Sequence, residues 1–237
     1  MYSNRPLPEA ISHRGLRASH PENSVPAFLD ALTAGAEGIE LDVHASLDGV
    51  VYVHHDFDFD DGAGARRMIA GSDSKEIDKA RLANDVPIPR LDAVLEAIGT
   101  RARVYVEIKA RGIENDVMRC LRRHVAWAEN YAVHSFDHRI VKRMLELIPS
   151  IRTGILQVGY PVDSCAAMRA AGASDLWQHA DFVDERLVAD VKSCRGRLIV
   201  WTANTDTQWD RLANLGVDAI CTDKVDDYVS WRGAPVG

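Results

Sequence analysis

Arg103-Val104-Tyr105-Val106-Glu107-Ile108-Lys109 opens the stretch that decides the fold. Its β-branched and aromatic residues mark a strand. Ile113–His124 then reads as a helix, Tyr131–Phe136 as strand again, and Asp137–Leu147 as helix. Strand, helix, strand, helix is the pattern of parallel strands joined by helical crossovers. The rhythm extends both ways. Upstream lie strands Ala10–His13 and Gly38–Ala45, separated by a helix over Ser24–Ala34 that Gly35 ends. Asp48-Gly49 turns the chain into a hairpin strand, Val50–His55, and Leu91–Ile98 is a helix. Downstream, strands are predicted at Gly154–Val158, Asp175–His179, Leu198–Thr202 and Ala219–Thr222. Helices Val162–Ala171, Asp184–Ser193, Thr205–Leu215 and Val225–Trp231 alternate with them. Roughly eight β-then-α units favour a closed α/β TIM (β/α)8 barrel over an open doubly wound sheet. No proline- or glycine-rich linker divides residues 1–237, so a single domain is expected. Asp56 to Asn84 is polar and glycine-bearing and reads as a loop with little regular structure. Arg232–Gly237 reads as a frayed tail.

Bulk properties narrow the function. The formal charge is −7 and 46% of residues are hydrophobic, which is enough apolar material for one core and argues against a nucleic-acid partner. Residues 1–10 lack the apolar core of a signal peptide, and no apolar run approaches a membrane span. A cytoplasmic protein without stable membrane insertion is the expectation. Cys120, Cys165, Cys194 and Cys221 form no C-x-x-C pair, and buried free thiols are expected for all of them. Oligomeric state is not legible.

Chemistry in such a barrel belongs at the C-terminal ends of its strands. His13 and Arg14 end the first strand. Glu40 and Asp42, two apart, point to one side of theirs, as do Glu107 and Lys109. Trp201 and Asn204 close a late strand. The plain alternative for a Glu-x-Asp pair is a solvated face, but barrel strands are covered on both sides. Buried like charges need a cation between them. Glu40, Asp42 and Glu107 together offer hard oxygen ligands that suit Mg²⁺ or Ca²⁺ over zinc.

Nine histidines make chance placement a real alternative for any one of them. His13 gains weight from Arg14 and from Gly15, whose missing side chain would let a ligand approach the backbone. Only one of His54 and His55 can face inward on a strand, and alternation does not decide which. His20, His44, His124, His134, His138 and His179 read as structural or surface residues, with His179 the least settled. Arg14 and Lys109 are candidate phosphate-binding cations. In Pro21-Glu22-Asn23-Ser24, Asn23 or Ser24 reads as a helix N-cap, with Glu22 and Asn23 as supporting residues. Trp201 either packs in the core or walls a pocket against a cationic headgroup.

Taken in order, these motifs carry a family resemblance. His13-Arg14-Gly15, Pro21-Glu22-Asn23, Ile39-Glu40-Leu41-Asp42-Val43, His55-Asp56, Glu107-Ile108-Lys109, Ser135-Phe136, Trp201-Thr202 and Thr222-Asp223 span nearly the whole chain. The pattern resembles that of the glycerophosphodiester phosphodiesterases. The resemblance implies a barrel enzyme that cleaves glycerophosphodiesters to glycerol phosphate and an alcohol. It places metal ligation on Glu40, Asp42 and Glu107 and acid/base work on His13 and His55. The His-Asp pair of the family also selects His55 and leaves His54 structural. The chain departs from the family at Phe57-Asp58-Phe59-Asp60-Asp61-Gly62-Ala63-Gly64, where a threonine-bearing segment is usual. Phe57 and Phe59 are candidates for a small apolar lip there. Arg66 and Arg67 read mainly as solvated loop charges. Which histidine is base and which acid stays open, as does the choice between direct water attack and a cyclic phosphate. A lysophospholipase D- or sphingomyelinase D-like activity and a non-catalytic phosphodiester-binding barrel are the alternatives.

Overall fold

The computed structural model describes residues 6–124 and 129–233. Strand β1 (Glu9–His13) runs into α1 (Val25–Thr33). Strand β2 (Gly38–Ala45) folds back antiparallel onto β3 (Val51–Val53). An insert carries β4 (Asp58–Asp60), β5 (Arg66–Met68) and α2 (Ser74–Ile77). Helix α3 (Leu91–Ile98) and strand β6 (Arg103–Ile108) resume the alternation. It continues through α4 (Glu114–Arg123), β7 (Tyr131–Ser135), α5 (His138–Leu147) and β8 (Arg152–Gln157). Next come α6 (Ser164–Ala171), β9 (Asp175–His179), α7 (Glu185–Ser193) and β10 (Arg197–Trp201). The described chain ends with α8 (Asp206–Leu215), β11 (Ala219–Thr222) and α9 (Val225–Gly233).

Eight strands close a parallel barrel: β1, β2, β6, β7, β8, β9, β10 and β11, with β11 returning to β1. Side chains alternate between the barrel lumen and the helical shell, as strand geometry requires. Ile11, Tyr105, Leu156, Trp177, Ile199 and Cys221 fill the lumen. The outward-facing residues, such as Ile39, Leu41, Val104 and Val106, pack in the larger core that includes the helices. Below the lumen core, the Arg197 guanidinium donates to Glu9 at 2.5 Å and Tyr105 Oη donates to Glu9 at 3.0 Å. This plugs the end opposite the site. Gly154 makes room for the Trp177 indole, since a Cβ there would sit 2.7 Å from the ring.

Four expectations are corrected. The Asp56–Asn84 segment is not irregular: Tyr52, Phe59, Ile69, Ile77, Ala80 and Ile88 form a small core of their own that pins the β4–β5 hairpin and α2. Phe59 therefore is no lip, and only Phe57 stands exposed. Arg66 and Arg67 are exposed charges, as expected, and pair with hairpin acids, Asp58 and Asp61 respectively. Arg232 lies inside α9 and donates to Glu37 at 2.5 Å, so the frayed tail does not begin there; residues 234–237 lie outside the described residues.

The cysteines are the fourth correction. Cys165 on α6 and Cys194 just after α7 form a disulfide across neighbouring helices, with Cα atoms 6.1 Å apart, while Cys120 and Cys221 are buried free thiols. Sequence separation hid the pair; the packing of adjacent crossover helices brings it together. In a reducing cytoplasm the pair would stand as two thiols. Thiol titration in denaturant is expected to count two groups before reduction and four after it. A count of four without reductant would show that the bond does not form.

Candidate active site

The strand register assembles the polar residues at the C-terminal mouth of the barrel. His13 on β1 lies beside Glu40 on β2. Asp42 lies beside Glu107 on β6, and Glu107 beside His134 on β7. All are lumen positions. His13, Glu40, Glu107 and His134, together with Arg14, His55 and Lys109, line a cavity of about 150 Å³, with Asp42 buried behind Arg14 and Lys109.

The turn after β1 shapes one wall. Arg14, Gly15 and Asn23 all take left-handed backbone angles, with φ of 60°, 85° and 55°. Such angles are uncommon for non-glycine residues and cluster at functional sites. Gly15 admits helix α1 rather than a ligand: a Cβ on it would lie 2.7 Å from Ala27 Cβ. Arg14 Nε is 2.9 Å from Asp42 Oδ2, and its NH1 donates to Glu22 at 3.0 Å. Glu22 also accepts from Arg17 at 2.6 Å. Asn23 Nδ2 donates to Asp42 Oδ2 at 2.9 Å, which leaves Ser24 as the N-cap of α1. Lys109 Nζ completes the enclosure of Asp42, 3.3 Å from its Oδ1 and 3.3 Å from Glu107 Oε1.

The three carboxylates therefore differ. Burial alone would raise the Asp42 carboxyl, but Arg14 and Lys109 hold it below the ordinary range. Burial, then the charge on Asp42, pushes Glu40 up to about 7 and Glu107 up to about 7. Glu40 Oε2 and Asp42 Oδ1 are buried with no hydrogen-bond partner. Among the described residues, Glu40, Glu107 and His134 each offer a donor atom within 4.8 Å of the others, a grouping able to hold a metal ion.

The two histidines stand differently in their surroundings. His13 Nδ1 is 2.7 Å from Asp223 Oδ1, and its Nε2 lies 3.8 Å from Glu40 Oε2. Asp223 is fixed by Asn204 Nδ2 donating at 2.8 Å and by Arg17 at 3.0 Å. Burial opposes ionisation of Asp223, yet the hydrogen bond from His13 holds its carboxyl down to about 2. His55 lines the cavity with its Nδ1 2.9 Å from Asp56 Oδ1. His54 turns away and meets the Asp58 carbonyl through Nε2 at 3.1 Å. His44 Nε2 meets the His55 carbonyl at 3.2 Å and so tethers the backbone beneath His55. Trp201 lines the far wall edge-to-face with Phe136, ring centroids 5.5 Å apart.

Sequence reasoning missed Asp223 as the partner of His13, Asn204 as the clamp on Asp223, and His134 as a cavity residue. Asp223 follows directly on strand β11, so the strand-end rule that found the others also applied to it. His134 gave no comparable signal, because one lumen-facing histidine looks like any other.

A model of the glycerophosphoryl diester phosphodiesterase family matches residues 13–227. The chain belongs to that family. It is a phosphoric diester hydrolase. A glycerophosphodiester phosphodiesterase of Caldanaerobacter subterraneus subsp. tengcongensis is 29% identical over 235 residues, covering 93% of this chain and 96% of the relative. One from Bacillus altitudinis is 27% identical over 243 residues, covering 95% and 98%. An Oleispira antarctica phosphodiesterase, solved in complex with the product sn-glycerol-3-phosphate, shares the fold with a TM-score of 0.88 at 23% identity, covering 96% of this chain and 98% of that one. No helix among the described residues is long and apolar enough to cross a membrane.

Proposed function

We propose that this protein hydrolyses glycerophosphodiesters to sn-glycerol 3-phosphate and an alcohol, with a divalent cation, Mg²⁺ or Ca²⁺, and with His13 and His55 as the acid/base pair. The observation that carries the reading is the placement of both histidines, Arg14 and Lys109 around one cavity with Glu40 and Glu107. The product bound to the Oleispira relative supports the substrate class. Glu40, Asp42 and Glu107 are the proposed cation ligands. The donor set fits: Glu40 Oε2 and Asp42 Oδ1 are buried hard oxygens that accept no hydrogen bond, although ionic contacts from His13 and Lys109 lie nearby. A bound divalent ion supplies neutralisation of charge developing on a phosphate oxygen.

The side chains divide the rest. Arg14 and Lys109 orient the phosphate and share its charge. One histidine takes a proton from the attacking water, or from a neighbouring substrate hydroxyl, as the new P–O bond forms. The other gives a proton to the alkoxide that leaves as the old P–O bond breaks. Opposite protonation demands on two imidazoles give a bell-shaped pH–rate profile. Trp201 and Phe136 wall the side on which an alcohol group can sit.

The test is release of glycerol phosphate from glycerophosphocholine and glycerophosphoethanolamine with Mg²⁺, Ca²⁺ or chelator. Release that chelator abolishes and either ion restores is expected. Tight binding without product at any cation concentration would instead support a binding barrel. A lysophospholipid reading draws on one observation, the apolar rim. Phe136, Tyr160 and Val162 are 49%, 54% and 96% exposed, and Tyr160 meets Phe182 edge-to-face. A lysolipid cleaved faster than glycerophosphocholine would favour it.

A further inference from the structure

The cavity wall formed by β7 carries an imidazole that the hydrolysis described above does not use. His134 is 2% exposed and faces the lumen beside Glu107. Its ring lies flat on Trp177, with centroids 4.2 Å apart and planes 4° from parallel. Trp177 occupies the space that Gly154 leaves open. The ring plane is thus fixed from below by packing. Nε2 points toward Glu40 and lies 3.6 Å from its Oε1, beyond hydrogen-bond distance. Nδ1 is buried with no hydrogen-bond partner. A fully buried imidazole that the protein satisfies at neither nitrogen is unusual. Its surroundings include Glu40, Glu107, Asp42 and Lys109, and its donor atom belongs to the close group with Glu40 and Glu107.

We propose that His134 is a nitrogen ligand of the cation site, so that this chain takes a first-row transition ion more tightly than Mg²⁺ or Ca²⁺. The inference rests on the cation-dependent reading of the same pocket and changes its ligand set. Mg²⁺ and Ca²⁺ are served by oxygens, whereas imidazole favours ions such as Co²⁺ and Zn²⁺. Glu40, Asp42 and Glu107 with one imidazole still leave coordination positions open for substrate oxygens. The ring is held in place before any ion arrives.

Co²⁺ is the probe, because its visible absorption reports ligand type without turnover. The metal-stripped full chain is titrated with Co²⁺ and, separately, with Mg²⁺ by equilibrium dialysis. The same is done for His134→Gln, after its melting in chelator shows it to be folded. Tighter binding of Co²⁺ than Mg²⁺ by the parent is expected. In His134→Gln the Co²⁺ Kd should rise by at least about 10–100-fold, the cost already typical of losing an outer-shell partner, with a changed visible spectrum and a nearly unchanged Mg²⁺ Kd. Pulsed EPR of the parent loaded with Mn²⁺ needs no variant and should show coupling to a coordinated nitrogen; its absence overturns the proposal. An unchanged Co²⁺ Kd and spectrum in His134→Gln would also overturn it while leaving the cation site intact. Failure of the parent to bind any divalent ion would overturn the cation reading as well.

Discussion

Replacing His13 by alanine is expected to lower kcat/KM on glycerophosphodiesters by about 10²–10⁴-fold, the usual contribution of a positioned acid or base. The geometry makes His13 the more constrained of the two imidazoles. Its Nδ1 faces Asp223 at 2.7 Å, so the carboxylate favours the tautomer with the proton on Nδ1. That leaves Nε2 directed at the cavity. Asp223→Asn tests this arrangement separately from the ring itself. An amide N–H offered to Nδ1 would move the ring proton to Nε2 and spoil a base, and a loss of similar size follows. The change should fall on kcat more than on KM, because Asp223 acts through His13. Folding responds to the same pair with a definite sign. Asp223 is held at about 2 against an ordinary 3.8. Its stabilisation is therefore present above about pH 4 and fades as pH falls toward about 2. A loss under tenfold in His13→Ala, measured with chemistry rate-limiting, would remove His13 from the acid/base pair.

How much of this was legible beforehand depended on whether the information was local. Glu40-x-Asp42 and Glu107-x-Lys109 could be placed on one face of a strand because strand periodicity is fixed at two. The alternation of strands and helices likewise needed no tertiary knowledge. The neighbour relation between Glu107 and His134 belongs to the register of β6 against β7, which neither strand writes in its own sequence. The Cys165–Cys194 bond depends on α6 lying next to α7. The polar segment after Asp56 looked irregular because its core is shared. Phe59 and Ile69 bury themselves against Tyr52, a residue of a different element. The Asp223–Asn204 clamp is non-local in the same way, joining the end of β11 to the loop after β10.

Glu40→Gln should have opposite effects on activity and on stability. The substitution removes a proposed cation ligand, and several kcal/mol of transition-state charge stabilisation go with the ion. At about 1.4 kcal/mol per tenfold, that is a loss on the order of 10³ in kcat/KM. In chelator, however, the variant should melt at a higher temperature than the parent near pH 8. Burial and the Asp42 charge raise Glu40 to about 7 from an ordinary 4.5. As pH climbs between those values, the unfolded chain gives up this proton before the folded one does. The metal-free parent therefore loses stability across that window and does not regain it above. Glu107 adds to the slope in the same direction, so Glu40→Gln should flatten it without abolishing it. A divalent ion reverses the effect, since ligands must be deprotonated to bind it. Its stabilisation, about 2.7 kcal/mol at a hundred times Kd, should grow from pH 5 to pH 8 in the parent and be smaller in the variant at both pH values. Melting curves at those two pH values, with and without Mg²⁺, decide the matter. A variant less stable than the parent in chelator at pH 8 would mean that the protein itself satisfies Glu40. A variant that keeps activity within tenfold would take Glu40 out of the cation site.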